Sequence, residues 1–229
     1  MKSAYDKLNC FECPFSNLKG IYSDEDVKLI NDNHSAMTYN TNDILIKQGS
    51  YVSQLYYLRT GLVKVVLEDG NGKHTILQLL EASQFIALPV LGDFDTFPFT
   101  VIALDKCDVC VIRKSVMEKI VQTNVEVNTF LLNYFYKDYA FLYERINILS
   151  SRNNHGKLAS ALLYLSNGSF KQDLLKRISR KELAQLAAIS VESSNKILME
   201  LKHDGIISID NNEISIMKPD LIIKLSTVG

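Results

Sequence analysis

The hydrophobic pattern changes its period along the chain, and this change separates a strand-rich part from a helical part. Between residues 39 and 112, short apolar runs rich in β-branched and aromatic residues are separated by turn sequences. Runs of this length and spacing predict the strands of a β-barrel, roll or sandwich. A serine followed by acidic residues predicts a short helix over 23–31. The predicted strands lie at 44–46, 55–58, 63–67, 75–80 and 109–112, and an Asp-Gly-Asn-Gly turn occupies 69–72.

A helical period begins near residue 115 and continues to residue 151 without Gly or Pro, which predicts one long helix. Residues spaced alternately by four and three from Asn128 line one face of this helix, and the others in the row are apolar or aromatic. This spacing predicts a coiled-coil seam between two copies of the chain, although packing within one protomer would give the same pattern. The predicted dimer-interface residues are Leu132, Phe135, Tyr139, Leu142, Ile146 and Leu149. Additional apolar residues widen this face, so we expect the helix to pack on the strand-rich part with one side and on a second subunit with the other; they are Leu131, Tyr134, Phe141 and Ile148.

The C-terminal part predicts a helix-turn-helix followed by a hairpin. A polar stretch over 151–156 predicts a hinge, and the next residues predict an amphipathic helix that buries Leu158 and Leu162. Ser179 and Glu182 form a capping-box pattern at the start of a second helix. A short turn over 188–190 leads to a third helix that ends before Gly205. Alternating residues over 206–209 and 213–216 flank Asn-Asn and predict a two-residue hairpin, the wing.

The first turns of the third helix leave polar and small residues outward while Ile197, Leu198 and Leu201 face inward. This third helix is the second helix of the helix-turn-helix motif. In such motifs the second helix enters the major groove of DNA with its outward residues facing the bases. We therefore expect a sequence-specific DNA-binding protein. An alternative is an effector- or metal-binding module that uses the same helices for protein contacts.

Composition and charge agree with this expectation. Residues 152–229 hold 11 Lys and Arg against 8 Asp and Glu, a net charge of +3, whereas residues 1–151 hold 14 against 18, a net charge of −4. The chain has no apolar stretch of about 18 residues and no secretory signal, so we expect a cytoplasmic protein without membrane contact. Phosphate-binding glycine loops, zinc-protease motifs and nucleophile elbows do not occur, so we do not expect an enzyme.

Two sets of residues resemble the CRP/FNR family of bacterial regulators. The segments I-S-R-K-E-L-A-Q-L and S-V-E-S-S-N-K-I-L resemble the two helices of its DNA-binding motif. Residues Gly49, Tyr56, Leu58, Gly61 and Val63 match the G-x6-Y-x-I-x2-G-x-V pattern of its sensor domain. The resemblance implies an α+β fold with an N-terminal β-roll, a double-stranded β-helix like that of cyclic-nucleotide-binding domains, over 1–114. It further implies a dimerisation helix over 115–151 and a winged helix-turn-helix over 152–229.

The resemblance also implies roles for individual residues. Glu192 would accept from a cytosine amino group, Val191 would touch a thymine methyl group, and Lys196 stands where the family has an Arg. The set of implied DNA-binding residues is Ser179, Arg180, Ser190, Val191, Glu192, Ser193, Asn195 and Lys196, of which the first two contact phosphate. A palindromic site with T-G-A half-site cores and contact with RNA polymerase follow from the same resemblance.

The residues at the ligand positions of the sensor domain bear on which effector the protein binds. In the cAMP-binding branch a Gly-Glu pair and an Arg-Ser pair hold the ligand, whereas Ile86-Ala87 and Phe97-Pro98 stand at these positions here. A cyclic phosphate would be buried without an Arg, so we expect no cAMP binding. The apolar loop over 94–99 predicts either a pocket for a less charged ligand or simply core.

The four cysteines form two C-x2-C pairs, Cys10/Cys13 and Cys107/Cys110. Cys10, Cys13 and Cys110 match three of the four cysteine positions that hold an iron–sulfur cluster in the FNR branch, and Lys19 stands at the fourth. An iron–sulfur cluster, zinc, haem and a thiol redox switch all stay open, as do structural roles without any metal. Residues three apart on a strand face opposite ways, so joint use of Cys107 and Cys110 requires a bulge or turn.

Overall fold

The computed structural model describes residues 20–70, 72–86, 88–92, 94–166, 170, 173–211 and 213–228. The described residues form two compact units: the first consists of those up to 68 together with those from 79 to 140, and the second of those from 69 to 78 together with those from 141 onward. No helix in the described ranges is long and apolar enough to span a membrane.

The described part of the first unit contains eight strands, five of which overlap the short apolar runs that predicted strands. They are β1 (His34–Tyr39), β2 (Ile44–Ile46), β3 (Gln54–Thr60), β4 (Leu62–Glu68), β5 (His74–Glu81), β6 (Gln84–Ile86), β7 (Thr100–Ala103) and β8 (Cys107–Arg113). They form two four-stranded sheets in the orders β1-β8-β3-β6 and β2-β7-β4-β5. The predicted β-roll is thereby confirmed, and the tip of the β4–β5 hairpin belongs to the second unit.

The link between β3 and β4 explains one of the glycines in the sensor pattern. Gly61 has a φ of +95°, which favours glycine over residues with a Cβ. A Cβ at this position would lie 2.6 Å from the Sγ of Cys107 and 2.7 Å from the carbonyl oxygen of Lys106. The close approach of β8 to this turn therefore requires a glycine.

The helices of the first unit correct one prediction. Helix α1 spans Asp24–Asp32, with Ser23 as its N-cap, as predicted. The expected single helix over 115–151 is wrong, because two helices, α2 (Lys114–Thr123) and α3 (Val125–Ser151), meet at Asn124. Asn124 has an extended backbone, and its Oδ1 accepts from the backbone N–H groups of Glu126 and Val127. An asparagine thus ends one helix and caps the next without any Gly or Pro.

The side chain of Asn124 also fixes α1. Its Nδ2 donates to the backbone oxygen of Ile21 at 2.8 Å and to the carboxylate of Asp26 at 2.7 Å. Asp26 accepts a further bond from the backbone N–H of Ser23, which completes the capping box of α1. Burial by itself would raise the pKa of the Asp26 carboxyl, but the hydrogen bonds from Asn124 and Ser23 lower the pKa overall.

The second unit contains the helical elements and the small hairpin. They are α4 (Asn154–Ser166), α5 (Arg180–Ala187), α6 (Val191–His203), β9 (Ile207–Asp210), β10 (Glu213–Ile216) and α7 (Pro219–Val228). Strands β9 and β10 pair in antiparallel register with Asp210 opposite Glu213. The predicted wing, a hairpin with two residues between its strands, is therefore confirmed. The sequence analysis did not predict α7. Its Pro219 occupies the first helical position, where proline is favoured, and Ile222 is fully buried.

Helix α3 contributes to both units. In the first unit, Val127 and Leu131 are buried, and Tyr134 packs edge-on against Phe85 of β6. In the second unit, Phe141 packs against Tyr164 of α4, with ring centroids 5.7 Å apart. Tyr134 agrees with the predicted packing of one side of the helix on the roll, whereas Phe141 packs on a helix of the second unit.

Candidate nucleic-acid interface

The start of α5 is fixed by the predicted capping box. The hydroxyl oxygen of Ser179 accepts from the backbone N–H of Glu182 at 3.2 Å. The Ser179 N–H in turn donates to the Glu182 carboxylate at 3.1 Å. Two helix-end N–H groups are thus satisfied reciprocally. The hydroxyl of Ser179 also donates to this carboxylate at 2.7 Å, and the Ser179 side chain is exposed.

The turn between α5 and α6 is short and closed by hydrogen bonds. Ala188 adopts the left-handed conformation with a φ of +53°, and the N–H of Ile189 donates to the carbonyl oxygen of Ala184. Ser190 then caps α6 by accepting from the N–H of Ser193 at 3.0 Å. These hydrogen bonds close the turn that joins the two helices, and Leu183 of α5 is buried. We call α5, this turn and α6 the α5–α6 element.

Helix α6 separates an inward apolar face from an outward polar face. Ile197, Leu198 and Leu201 are buried, as predicted. Of the candidate base-reading residues, four are exposed: Val191, Glu192, Asn195 and Lys196. These four lie in the first two turns of the helix, which is the part that reaches base edges in a major groove.

Three other predicted contact residues are more constrained than the sequence suggested. The hydroxyl of Ser190 donates to the hydroxyl of Ser193 at 2.9 Å, and the side chain of Ser193 is half-buried. Arg180 is also half-buried, and its Nη1 has no hydrogen-bond partner among the described residues. Burial lowers the pKa of the Arg180 guanidinium from its ordinary value. A phosphate oxygen would supply the missing acceptor.

The start of α4 lies beside the later turns of α6 and adds a contact that the sequence did not reveal. His155 and Glu200 form a pair with 2.9 Å between Nε2 and a carboxylate oxygen. Asn153, Ser193 and Lys196 line the same depression. The carboxylate of Glu200, which lies one helical turn after Lys196 on α6, is thus paired with His155.

An apolar stripe runs along the outer side of α3. The predicted interface residues Phe135, Leu142 and Leu149 are half-buried within the protomer. The stripe consists of the large apolar side chains that α3 leaves exposed. Their spacing alternates between four and three, as in the predicted seam, but the order of the two spacings is reversed. The residues are Leu132 (47% exposed), Tyr136 (66%), Tyr139 (58%), Tyr143 (69%) and Ile146 (61%). Leu132, Tyr139 and Ile146 belong to the predicted set, whereas Tyr136 and Tyr143 do not, because the predicted spacing passed through Phe135 and Leu142.

The ligand positions implied for the roll are apolar where they are described. Ile86 is fully buried at the end of β6, and Phe97 is buried with its ring against Tyr56 and Phe99. Ala87 lies outside the described residues. Buried Ile and Phe side chains supply no charge or donor for a cyclic phosphate, so these residues do not fit that ligand.

The cysteine pairs differ in what the structure shows of them. Cys10 and Cys13 lie outside the described residues, as does Lys19. Cys107 and Cys110 are both buried on β8, whose register with β1 is continuous from Cys107 to Ile112. With no bulge in β8 at this pairing, the two side chains face opposite sides of the sheet and do not point at one metal ion. Burial raises the pKa of the Cys107 thiol, and its Sγ donates to the carbonyl oxygens of Leu62 and Asp105.

The roll, the capped helix pair and the wing together define a class of protein: a sensor-type β-roll joined to a winged helix-turn-helix. Comparison with known families agrees. Residues 36–124 match the family described as "Cyclic nucleotide-binding domain", and residues 156–225 match the "Crp-like helix-turn-helix domain". The chain belongs to the CRP/FNR family of DNA-binding transcription regulators.

Individual relatives are distant but span much of the chain. The "cAMP-activated global transcriptional regulator CRP" of Salmonella typhimurium is 26% identical over 175 residues, which cover 74% of this chain and 83% of the relative. The "Anaerobic regulatory protein" of Bacillus subtilis is 25% identical over 174 residues, covering 73% of each. The structure of FixK2 from Bradyrhizobium japonicum matches with a TM-score of 0.74 at 14% identity, covering 86% of this chain and 98% of that chain. The last likeness supports the fold.

Proposed function

We propose that this regulator acts as a homodimer that reads a palindromic DNA site through α6 and carries out no catalysis. The observation that carries the proposal is the division of α6 into a buried face and an exposed N-terminal half that presents Val191, Glu192, Asn195 and Lys196. Chromosomal DNA as target implies a cytoplasmic protein. Contact of the bound dimer with RNA polymerase would link binding to transcription.

Each exposed side chain of α6 suits a different feature of a base pair. The carboxylate of Glu192 accepts from the amino group of cytosine, and Val191 offers an apolar surface to a thymine methyl group. Lys196 donates as a point charge and not as a bidentate fork, so it reads guanine less sharply than an Arg would. These contacts favour half-sites with a T-G-A core.

Phosphate contacts come from the start of α5. Arg180 holds a guanidinium nitrogen that has no acceptor among the described residues. The exposed hydroxyl of Ser179 donates to the Glu182 carboxylate at 2.7 Å, and it would exchange this bond for one to a phosphate oxygen. Contacts of this kind hold the protein in register on the duplex without selecting a sequence.

Dimerisation places two copies of α6 on one face of DNA. The exposed row on α3 has the alternating spacing of a coiled-coil seam, and its five residues are aliphatic or aromatic. Two half-sites read in successive major grooves lie about 34 Å apart, which gives a site of about 20 base pairs.

The effector in this proposal is not a cyclic nucleotide, because Ile86 and Phe97 occupy the implied ligand positions. Redox or metal control through the cysteines is a separate question. The absorbance spectrum and metal content of the protein purified without oxygen answer it: broad absorbance near 400 nm with iron and sulfide indicates a cluster, a sharp Soret band indicates haem, and a colourless metal-free protein indicates structural cysteines.

Selection of duplexes from a random pool by the full chain tests the proposal. We expect a palindrome, relaxed base preference in Glu192→Ala, and a uniform loss of affinity with a smaller salt slope in Arg180→Ala. Glu126→Ala, which removes an exposed carboxylate at the start of α3, serves as the matched control. Unchanged affinity and preference in Glu192→Ala would show that α6 is not the reading helix. Failure of the wild-type protein to bind any duplex at low salt would favour the use of these helices for protein contacts.

A further inference from the structure

Arg145 is a buried cation in the second half of α3. Only 4% of it is exposed, and burial lowers the pKa of its guanidinium. Among the described residues no carboxylate forms a salt bridge with it. A cation without an anionic partner is costly to bury unless hydrogen bonds satisfy it. The acceptors of Arg145 therefore show what this residue does.

Both acceptors are backbone oxygens, one near the end of a helix and one on a strand. The Nη2 of Arg145 donates to the carbonyl oxygen of Leu186 at 2.7 Å and to that of Ile76 at 3.1 Å. Leu186 lies in the last turn of α5, where carbonyls lack helical donors and the helix dipole favours a positive charge. Ile76 lies on β5, an edge strand with a neighbour on one side only.

One guanidinium thus ties together three segments of the second unit: the β4–β5 hairpin tip, α3 and α5. The bond to α5 also bears on α6, because a short turn closed by hydrogen bonds joins the end of α5 to the start of α6. A displacement at Leu186 would be carried to the start of α6 within a single short turn.

We propose that Arg145 is a positioning residue for DNA recognition, which holds the α5–α6 element in its DNA-reading place against the hairpin tip at Ile76. This inference rests on the DNA-binding function proposed above. Linkage between the sites is reciprocal, so DNA bound at α6 stabilises the hairpin through Arg145 as much as the hairpin stabilises the reading position.

Hydrogen exchange of the full-length dimer, with and without the duplex selected by the wild-type protein, tests this link. In the wild type, DNA should slow exchange of the amides over 74–78 by about five- to 150-fold, the usual range of coupling between sites. Arg145→Met fills the same space without the donors. It should weaken DNA binding about tenfold or more and lose the DNA-dependent protection of the hairpin. Arg145→Lys, which keeps the charge and a donor, should restore part of both.

Arg152→Met is the matched control. Arg152 also donates from its guanidinium to a backbone oxygen, that of Thr227 in α7, but this bond does not involve α5. The control should keep the hairpin protection and most of the affinity, even if its melting temperature falls.

Two outcomes would overturn the inference. One is that DNA binding adds no protection to the amides over 74–78 in the wild type, and the other is that Arg145→Met keeps the full protection. If Arg145→Met does not fold, the wild-type measurement and Arg145→Lys decide. A wild-type protein that binds no duplex would refute the proposed function in the binding assay, before any exchange is measured.

Discussion

Replacement of Ile146 with Ala should weaken the homodimer and leave the protomer intact. Ile146 is 61% exposed in the protomer and lies on the α3 stripe. Complete burial of an isoleucine contributes about 1.5–3 kcal/mol, so covering this exposed part contributes about 1–2 kcal/mol for each copy. A symmetric dimer buries two copies and loses about 2–4 kcal/mol. At about 1.4 kcal/mol for each tenfold change, the dissociation constant should rise roughly 30- to 700-fold.

Sedimentation equilibrium over a range of protein concentrations measures this constant, and thermal unfolding of the dilute protein reports on the protomer. Lys137→Ala, an exposed change off the stripe, should leave both unchanged. Tyr143→Ala should resemble Ile146→Ala, whereas Leu142→Ala should lower the stability of the protomer, because Leu142 is half-buried. The reasoning fails if Ile146→Ala dimerises as tightly as the wild type, or if Leu142 proves to be the residue on which association depends.

Three further changes probe the roll, α1 and the edge of the reading helix. Gly61→Ala should lower the free energy of unfolding by about 2–4 kcal/mol in a denaturant titration, because the new Cβ would lie 2.7 Å from a backbone oxygen at a positive φ. Asp26→Asn should destabilise the protein at pH 7. Because the folded pKa of Asp26 is lowered, its contribution is complete above the unfolded value of about 3.9 and disappears as the pH falls through the folded value, so calorimetry should show the two proteins converging in acid. His155→Ala should reduce DNA affinity several-fold in a fluorescence titration by freeing the Glu200 carboxylate beside the reading surface, and it should have little effect in a Glu200→Gln background.

Local signals in the sequence predicted the DNA-binding motif well. Ser179, Glu182 and Ser190 act within one or two helical turns, and each makes the capping bond that its type and position indicated. Such bonds depend on the neighbours along the chain and hardly on the rest of the fold. The buried face of α6 followed from its period for the same reason.

The break between α2 and α3 shows where local rules were insufficient. The continuous helix was inferred from the absence of Gly and Pro, but Asn124 interrupts it with its own side-chain bonds. Asn124 itself, a favoured N-cap residue followed by Glu126 in the first turn of α3, is the signal in the sequence that could have suggested a cap. The bond to Asp26, 98 residues earlier in the chain, depends on tertiary structure and no local pattern contains it.

The register of the α3 stripe and the role of Arg145 required the structure. Apolar residues occur all around α3, so the period alone could not show which row another part of the protomer covers. An arginine in a helix next to exposed positions resembles an ordinary surface residue, and its burial becomes visible only with the carbonyls of Ile76 and Leu186 in place.

Arg145 and Ile146 are neighbours on α3 with opposite environments, and this contrast separates two ways of losing DNA binding. Ile146 acts through association, so raising the protein concentration should restore DNA affinity to Ile146→Ala by mass action. Arg145 acts through the place of α5 and α6 within each protomer, so Arg145→Met should stay weak at every concentration while its dimer constant is that of the wild type. A fluorescence titration of DNA at two protein concentrations, one below and one far above the measured dimer constant, distinguishes the two. If the DNA affinity of Arg145→Met recovered at high protein concentration, Arg145 would act on dimer formation and not on the position of the reading helix.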